Sequence, residues 1–193
     1  MIQKNNIDGI VLLDKPSMMS SNQAIQKIKR EFNLYKIGHT GTLDPLATGL
    51  LPLCLGKATR IARFLIDSDK TYHATIQLGE KTSTGDKEGE VIETSSVDLP
   101  RDSEVEQIIQ SFVGNQEQIP PMYSALKFKG QRLYKLAIKG MDVPRKPRSI
   151  KIYSIDLLSF GKNKLELVIK CSKGTYIRTL AEDIAREFQS VGH

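Results

Sequence analysis

The sequence predicts an α+β fold, a mixed sheet flanked by helices, and three observations carry that expectation. Segments that alternate apolar and polar residues stand beside segments with apolar residues at helical spacing. The two kinds mingle without strict strand–helix–strand alternation, which argues against a doubly wound parallel sheet. The chain has 193 residues, enough for one domain or one domain with an appended lobe. A chain of that size buries roughly 70% of its unfolded surface and needs no staples to fold.

The elements follow in order. Residues 9–15 (GIVLLDK) read as a short buried strand ended by Pro16. Ser20 or Ser21 caps a helix in which Ala24, Ile25, Ile28 and Phe32 recur at helical spacing. Residues 36–49 are irregular, dense in Gly, Thr, His and Pro, and lead into a strand at 50–55. Residues 58–66 form a short amphipathic helix bearing Arg60 and Arg63. Residues 71–78 (TYHATIQL) alternate as a half-solvated strand should. A charged, Gly-rich loop at 79–89 precedes a brief strand near Val91 and a helix over 104–112. Strand, turn and short helix share residues 118–140, and two strands follow at 149–159 and 164–171. A final helix runs from about Thr175 to Phe188.

Composition narrows the class. Lys and Arg outnumber Asp and Glu by 28 to 22, giving a formal charge of +6 that suits a polyanionic partner. An ordinary basic surface explains the same number, so charge alone decides nothing. The two cysteines, Cys54 and Cys171, lie in apolar stretches and imply free thiols in a reducing compartment, the cytoplasm. No apolar run reaches the roughly 20 residues of a membrane span, and the N-terminus MIQKNN lacks a signal-peptide core.

The richest stretch for chemistry is KIGHTGTLDPLATG, residues 36–49. Its glycines permit backbone angles closed to other residues, and Pro45 pushes Asp44 out of the helical region. The result is a rigid loop presenting one carboxylate between two regular elements, a common seat of catalysis. An Asp that merely caps a turn fits the same spacing.

Five blocks together carry a family resemblance: GIVLLDKP with the following SSN, KIGHTGTLDPLATGLLPLCLGKATR, KTYHATIQLGEKTSTGDKEGEV, QIPPMYSALKFKGQRLYKLAIKG and CSKGTYIRTLAEDIA. In composition and order they closely resemble the TruB family of tRNA pseudouridine synthases, and they span nearly the whole chain. The resemblance implies the pseudouridine synthase fold, a mixed and mostly antiparallel sheet with a central active-site cleft. It implies conversion of the universally modified T-loop uridine of tRNA to pseudouridine by a stand-alone bacterial type of enzyme. The partner is then the tRNA T-stem-loop, bound by a monomer, with no membrane.

Carried over by motif, Asp44 is the catalytic carboxylate, Tyr72 the active-site tyrosine on the target base, and Arg178 the arginine paired with Asp44. His39 matches the histidine that occupies the T-loop near the vacated base position. Lys15, Arg60, Arg145 and Arg148 are expected among the substrate-binding residues, as contacts to RNA phosphate. The PRKPR run at 144–148 stands out among these basic residues. Pseudouridine formation breaks the C1′–N1 bond, turns the uracil and rejoins it through C5, so no cofactor or metal is demanded. His39 has no His, Cys or Glu partner at ligand spacing, and no metal is assigned. An ionised carboxylate can attack C1′ or C6, or help remove a sugar proton. Arg178 falls in the first turn of its expected helix, where the macrodipole disfavours cations, which points to another partner such as Asp44 or RNA phosphate. A surface arginine beside a shifted helix boundary fits the same spacing.

Two departures from the family pattern stand out. Met18 and Met19 occupy positions where the family commonly has Gly. The chain also stops at His193, so a single catalytic domain over 1–193 is expected to lack its C-terminal end and the PUA domain. Two rivals remain: a non-catalytic RNA-binding or RNA-folding module, and a hydrolytic nucleosidase. The second needs another nearby carboxylate, and the GTLDP loop offers none.

Overall fold

A computed structural model describes residues 4–98 and 101–193. The chain divides into two compact units, Met1–Ser68 and Asp69–His193.

The N-terminal unit is built on a three-stranded antiparallel sheet in the order β1-β3-β2, with β1 at Gly9–Lys15, β2 at Ile37–His39 and β3 at Gly49–Leu55. Helix α1 (Ser21–Glu31) starts at Ser20, whose side chain accepts from Gln23 N while the Gln23 side chain accepts from Ser20 N. That reciprocal capping box fixes where the helix begins and contributes about 1 kcal/mol. Ile25, Leu51 and Leu53 form the core, with Leu13, Ile28, Ile37 and Leu43 packed around them. The 3-10 turn Gly56–Arg60 and the short α2 (Ala62–Leu65) close the unit. Strand β1 has the expected bounds but is not the buried strand the sequence suggests. It is an edge strand, and Ile10 and Leu12 are 47% and 69% exposed. An apolar run alone does not tell a buried strand from an edge.

The C-terminal unit carries a four-stranded antiparallel sheet in the order β4-β11-β10-β7. These strands are β4 (Lys70–Gln77), β7 (Gly114–Gln118), β10 (Arg148–Gly161) and β11 (Lys164–Cys171). Between β4 and β7 come the hairpin of β5 (Glu80–Thr82) with β6 (Val91–Thr94) and helix α3 (Asp102–Gln110). Lys162 and Asn163, both at positive φ, join β10 to β11 in a two-residue turn whose twist matches that of the strands. A second small hairpin pairs β8 (Lys127–Phe128) with β9 (Gln131–Arg132) and leads into α4 (Leu133–Ala137). Helix α5 (Ile177–Glu187) buries Leu180, Ala181, Ile184 and Ala185 in the same core as Val105 and Ile109 of α3 and Ile152, Leu167 and Ile169 of the sheet. The fold class is α+β, as expected. Among the described residues no helix is long and apolar enough to cross a membrane.

Candidate active site

Asp44 sits in the loop between β2 and β3, and the segment 15–21 holds that loop from several sides. Ser21 is buried, and its Oγ accepts from Leu43 N at 2.9 Å while donating to Leu43 O at 3.0 Å. Met19 N donates to Pro45 O at 3.3 Å, and Ser17 Oγ donates to Leu46 O at 3.0 Å. Within the loop, Ala47 N donates to Asp44 O at 3.1 Å. Thr40, also buried, donates its N–H to Pro52 O at 3.2 Å. The residues on both sides of Asp44 therefore have their backbone groups fixed by an element distant in sequence.

Lys15 corrects a sequence expectation. Read as a contact to phosphate, it is 0% exposed, and its Nζ donates to the carbonyls of Pro16, Met19 and Pro45 at 2.8, 2.6 and 3.1 Å. A buried ammonium needs hydrogen-bond acceptors to offset its lost hydration, and these carbonyls supply them. Lys15 thus ties the end of β1 to the residue after Asp44. Met18, standing where glycine was expected, takes a left-handed backbone with φ of 60°. His39 is half-buried at the end of β2, and its Nδ1 contacts Gly41 O across the loop. Arg60 ends the 3-10 turn with an exposed side chain.

Tyr72 and Arg178 belong to the C-terminal unit. Tyr72 lies on β4 opposite Ile169 and packs, partly buried, against the main core. Arg178 is the second residue of α5, confirming its place in the first turn. Within its own unit its reward is specific. Nη1 donates to Thr84 O at 3.0 Å, Nη2 donates to Tyr123 O at 2.8 Å, and the Asp86 carboxylate lies 3.8 Å from Nη1. Three segments thus meet on one guanidinium: α5, the β5–β6 loop and the loop after β7. Asp86 in turn accepts from Thr84 Oγ1 at 2.6 Å and Glu88 N at 3.1 Å. Gly85 takes φ of +74° where this loop meets α5, a left-handed backbone that residues with a Cβ rarely adopt. Asp44 belongs to the N-terminal unit and Arg178 to the C-terminal one.

Arg145, another expected phosphate contact, is half-buried and committed internally. It donates to Pro120 O at 3.1 Å and pairs with Asp142 at 3.0 Å. Arg148 opens β10 opposite Gln118 with an exposed side chain. Lys127, Arg132, Lys135 and Lys139 line one shallow depression around the β8–β9 hairpin and α4. Among the described residues no group of three or more His, Cys, Asp and Glu side chains is arranged to hold a metal.

Residues 29–177 match the model of the TruB family pseudouridylate synthase N-terminal domain. The chain belongs to the TruB family. It is 53% identical over 190 residues to tRNA pseudouridine synthase B of Methylobacillus flagellatus, covering 98% of this chain and 63% of that protein. It is 51% identical over 191 residues to the Neisseria meningitidis serogroup B protein of the same name, covering 99% and 62%. This TruB-family chain thus spans a little over three fifths of the length of those relatives. Among solved structures it resembles a chain of a Cbf5–Nop10–Gar1 complex, with a TM-score of 0.74 and 30% identity over 96% of this chain and 46% of that one. A chain of an H/ACA ribonucleoprotein bound to a substrate RNA containing 2′-deoxyuridine matches with a TM-score of 0.70 and 27% identity, covering 96% and 44%.

Sequence reasoning missed Ser21 as the clasp of Leu43, Asp86 as a partner of Arg178, and Gln118, whose buried amide bonds the backbone of Tyr176. Asp86 carried a signal, an acid in a Gly-rich turn between two short strands. Ser21 and Gln118 carried none, because their partners are far away in sequence.

Proposed function

We propose that this chain isomerises the T-loop uridine of tRNA to pseudouridine, with Asp44 as the catalytic carboxylate. The observation that carries the reading is the pinned loop: Leu43 and Pro45, the neighbours of Asp44, are held by Ser21 and Lys15. A carboxylate fixed in this way loses little freedom when the target base arrives, which is what catalysis by positioning requires. The names of the relatives supply the substrate class.

In this reading the base leaves its stack at a cost of a few kcal/mol and enters the site. The C1′–N1 bond breaks, the uracil turns, and C5 bonds to C1′. N1 ends with a proton and C5 gives one up. Asp44 acts as nucleophile or as base toward the sugar, Tyr72 packs on the base, and Arg178 pairs with Asp44 to keep it ionised and oriented. His39 occupies the T-loop beside the vacated base position. Arg60, Arg148 and the cations around the β8–β9 hairpin meet RNA phosphates. The partner is the tRNA T-stem-loop, and the chain acts as a monomer in the cytoplasm without cofactor or metal.

The test is pseudouridine formation in T-arm RNA by this chain and by Asp44→Asn. Product from the unsubstituted chain and none from the variant is expected. Equal product from both would remove Asp44 from the mechanism, and release of free uracil would point to a nucleosidase.

A further inference from the structure

We infer that Gln118 is a positioning residue for Arg178, a role that rests on the function proposed above. Gln118 ends β7 and is 4% exposed. Its amide closes two hydrogen bonds on one residue: Nε2 donates to Tyr176 O at 3.0 Å, and Oε1 accepts from Tyr176 N at 2.8 Å. Tyr176 is the N-cap residue of α5 and has no side-chain cap of its own. The amide of a distant strand therefore holds the point at which α5 begins, two residues before the arginine.

The same segment grips the arginine itself. Five residues after Gln118, the carbonyl of Tyr123 accepts from Arg178 Nη2 at 2.8 Å. Pro120 and Pro121 lie between the two grips and restrict the backbone that joins them. Residues 118–123 and 176–178 thus form a closed frame, with one rung at the helix start and one at the guanidinium. Asp86 and Thr84 add contacts to the guanidinium from a third side. Without the Gln118 amide, the first turn of α5 loses its fixed entry, and the guanidinium moves with it. Misplacement of a catalytic group by about 1 Å costs on the order of a hundredfold in rate.

The test uses the full chain with Gln118→Met and Gln118→Glu, and a T-arm RNA substrate in single-turnover reactions. For Gln118→Met the rate constant is expected to fall tenfold or more, with full reaction amplitude and RNA affinity within about threefold of the parent. A residue that only stabilises the fold would instead lower the amplitude and leave the rate constant alone. Gln118→Glu distinguishes further, because a protonated carboxyl restores the donor–acceptor pair and an ionised one cannot. Its rate deficit should shrink as the pH falls. A rate constant within twofold of the parent at full amplitude, or a deficit of Gln118→Glu that ignores pH, would overturn the inference. If the unsubstituted chain makes no pseudouridine, the proposed function fails, and the placement is then decided by nitrogen NMR of the arginine side chains. Arg178, located by Arg178→Lys, should show slow guanidinium rotation that Gln118→Met abolishes. An unchanged signal would refute the placement.

Discussion

Ser21 Oγ both accepts from and donates to the backbone of Leu43, the residue that precedes Asp44. One hydroxyl thus satisfies the N–H and the C=O of a residue 22 positions away. Ser21→Ala leaves both groups unpaired beside Asp44. The expected cost is about 1–3 kcal/mol in urea unfolding, with a fall in the rate of pseudouridine formation beyond any loss of folded protein. A variant with parental stability and rate would show that the clasp is idle.

Lys15→Met should act on stability rather than on RNA affinity. It keeps the length of the side chain but removes the donor that the carbonyls of Pro16, Met19 and Pro45 share. Destabilisation of about 2–4 kcal/mol is expected in denaturant titrations. The salt dependence of T-arm binding should stay unchanged, since a wholly buried amine neutralises no phosphate. A reduced salt slope would restore the role that the sequence suggested.

Met18→Gly should make the protein more stable. Met18 holds φ of 60° with a side chain that is 73% exposed, so little packing is lost. A left-handed backbone costs a residue with a Cβ about 1–2 kcal/mol. Glycine gives back about 0.5–1 kcal/mol of that through its freer unfolded chain. A net gain of roughly 0.5 kcal/mol should appear as a slightly higher melting temperature. A lower one would mean that the thioether makes a contact worth more than the strain.

Burial pushes the thiols of Cys54 and Cys171 above their usual 9.0, and at Cys171 a hydrogen bond with Thr175 partly opposes this. The native state then holds these protons more tightly than the unfolded chain does. Their contribution is fully present below the unfolded thiol pKa and is lost as the pH rises from there through the folded values. Melts between about pH 8 and about pH 10.5 should show stability falling with pH, less steeply when both cysteines are alanine. Equal slopes would mean that neither thiol is linked to folding in this range.

Much of the architecture was legible because local chemistry wrote it. Gly9–Lys15, Lys164–Cys171 and the body of α5 lie where apolar runs and helical spacing put strands and a helix, and of the two serines that could cap α1 it is Ser20 that does. Strand β7 was not legible: GNQEQ has no apolar alternation, and its ladder exists because β10 lies beside it, Arg148 opposite Gln118. The short β2 and β5 were hidden for the same reason, inside stretches that read as loops.

The bend that presents Asp44 follows from the amino-acid order alone, because a run such as GHTGTLDP limits its own backbone through glycine and proline, and the family follows from several such blocks in a fixed order. What surrounds that loop was decided by folding. A lysine at position 15 reads as surface until three carbonyls converge on it, one of them 30 residues away. An arginine at 145 reads as free until Pro120 and Asp142 take its guanidinium. Periodicity reports which side a residue faces, but hydrogen-bond partners are chosen by chain segments that meet only in three dimensions.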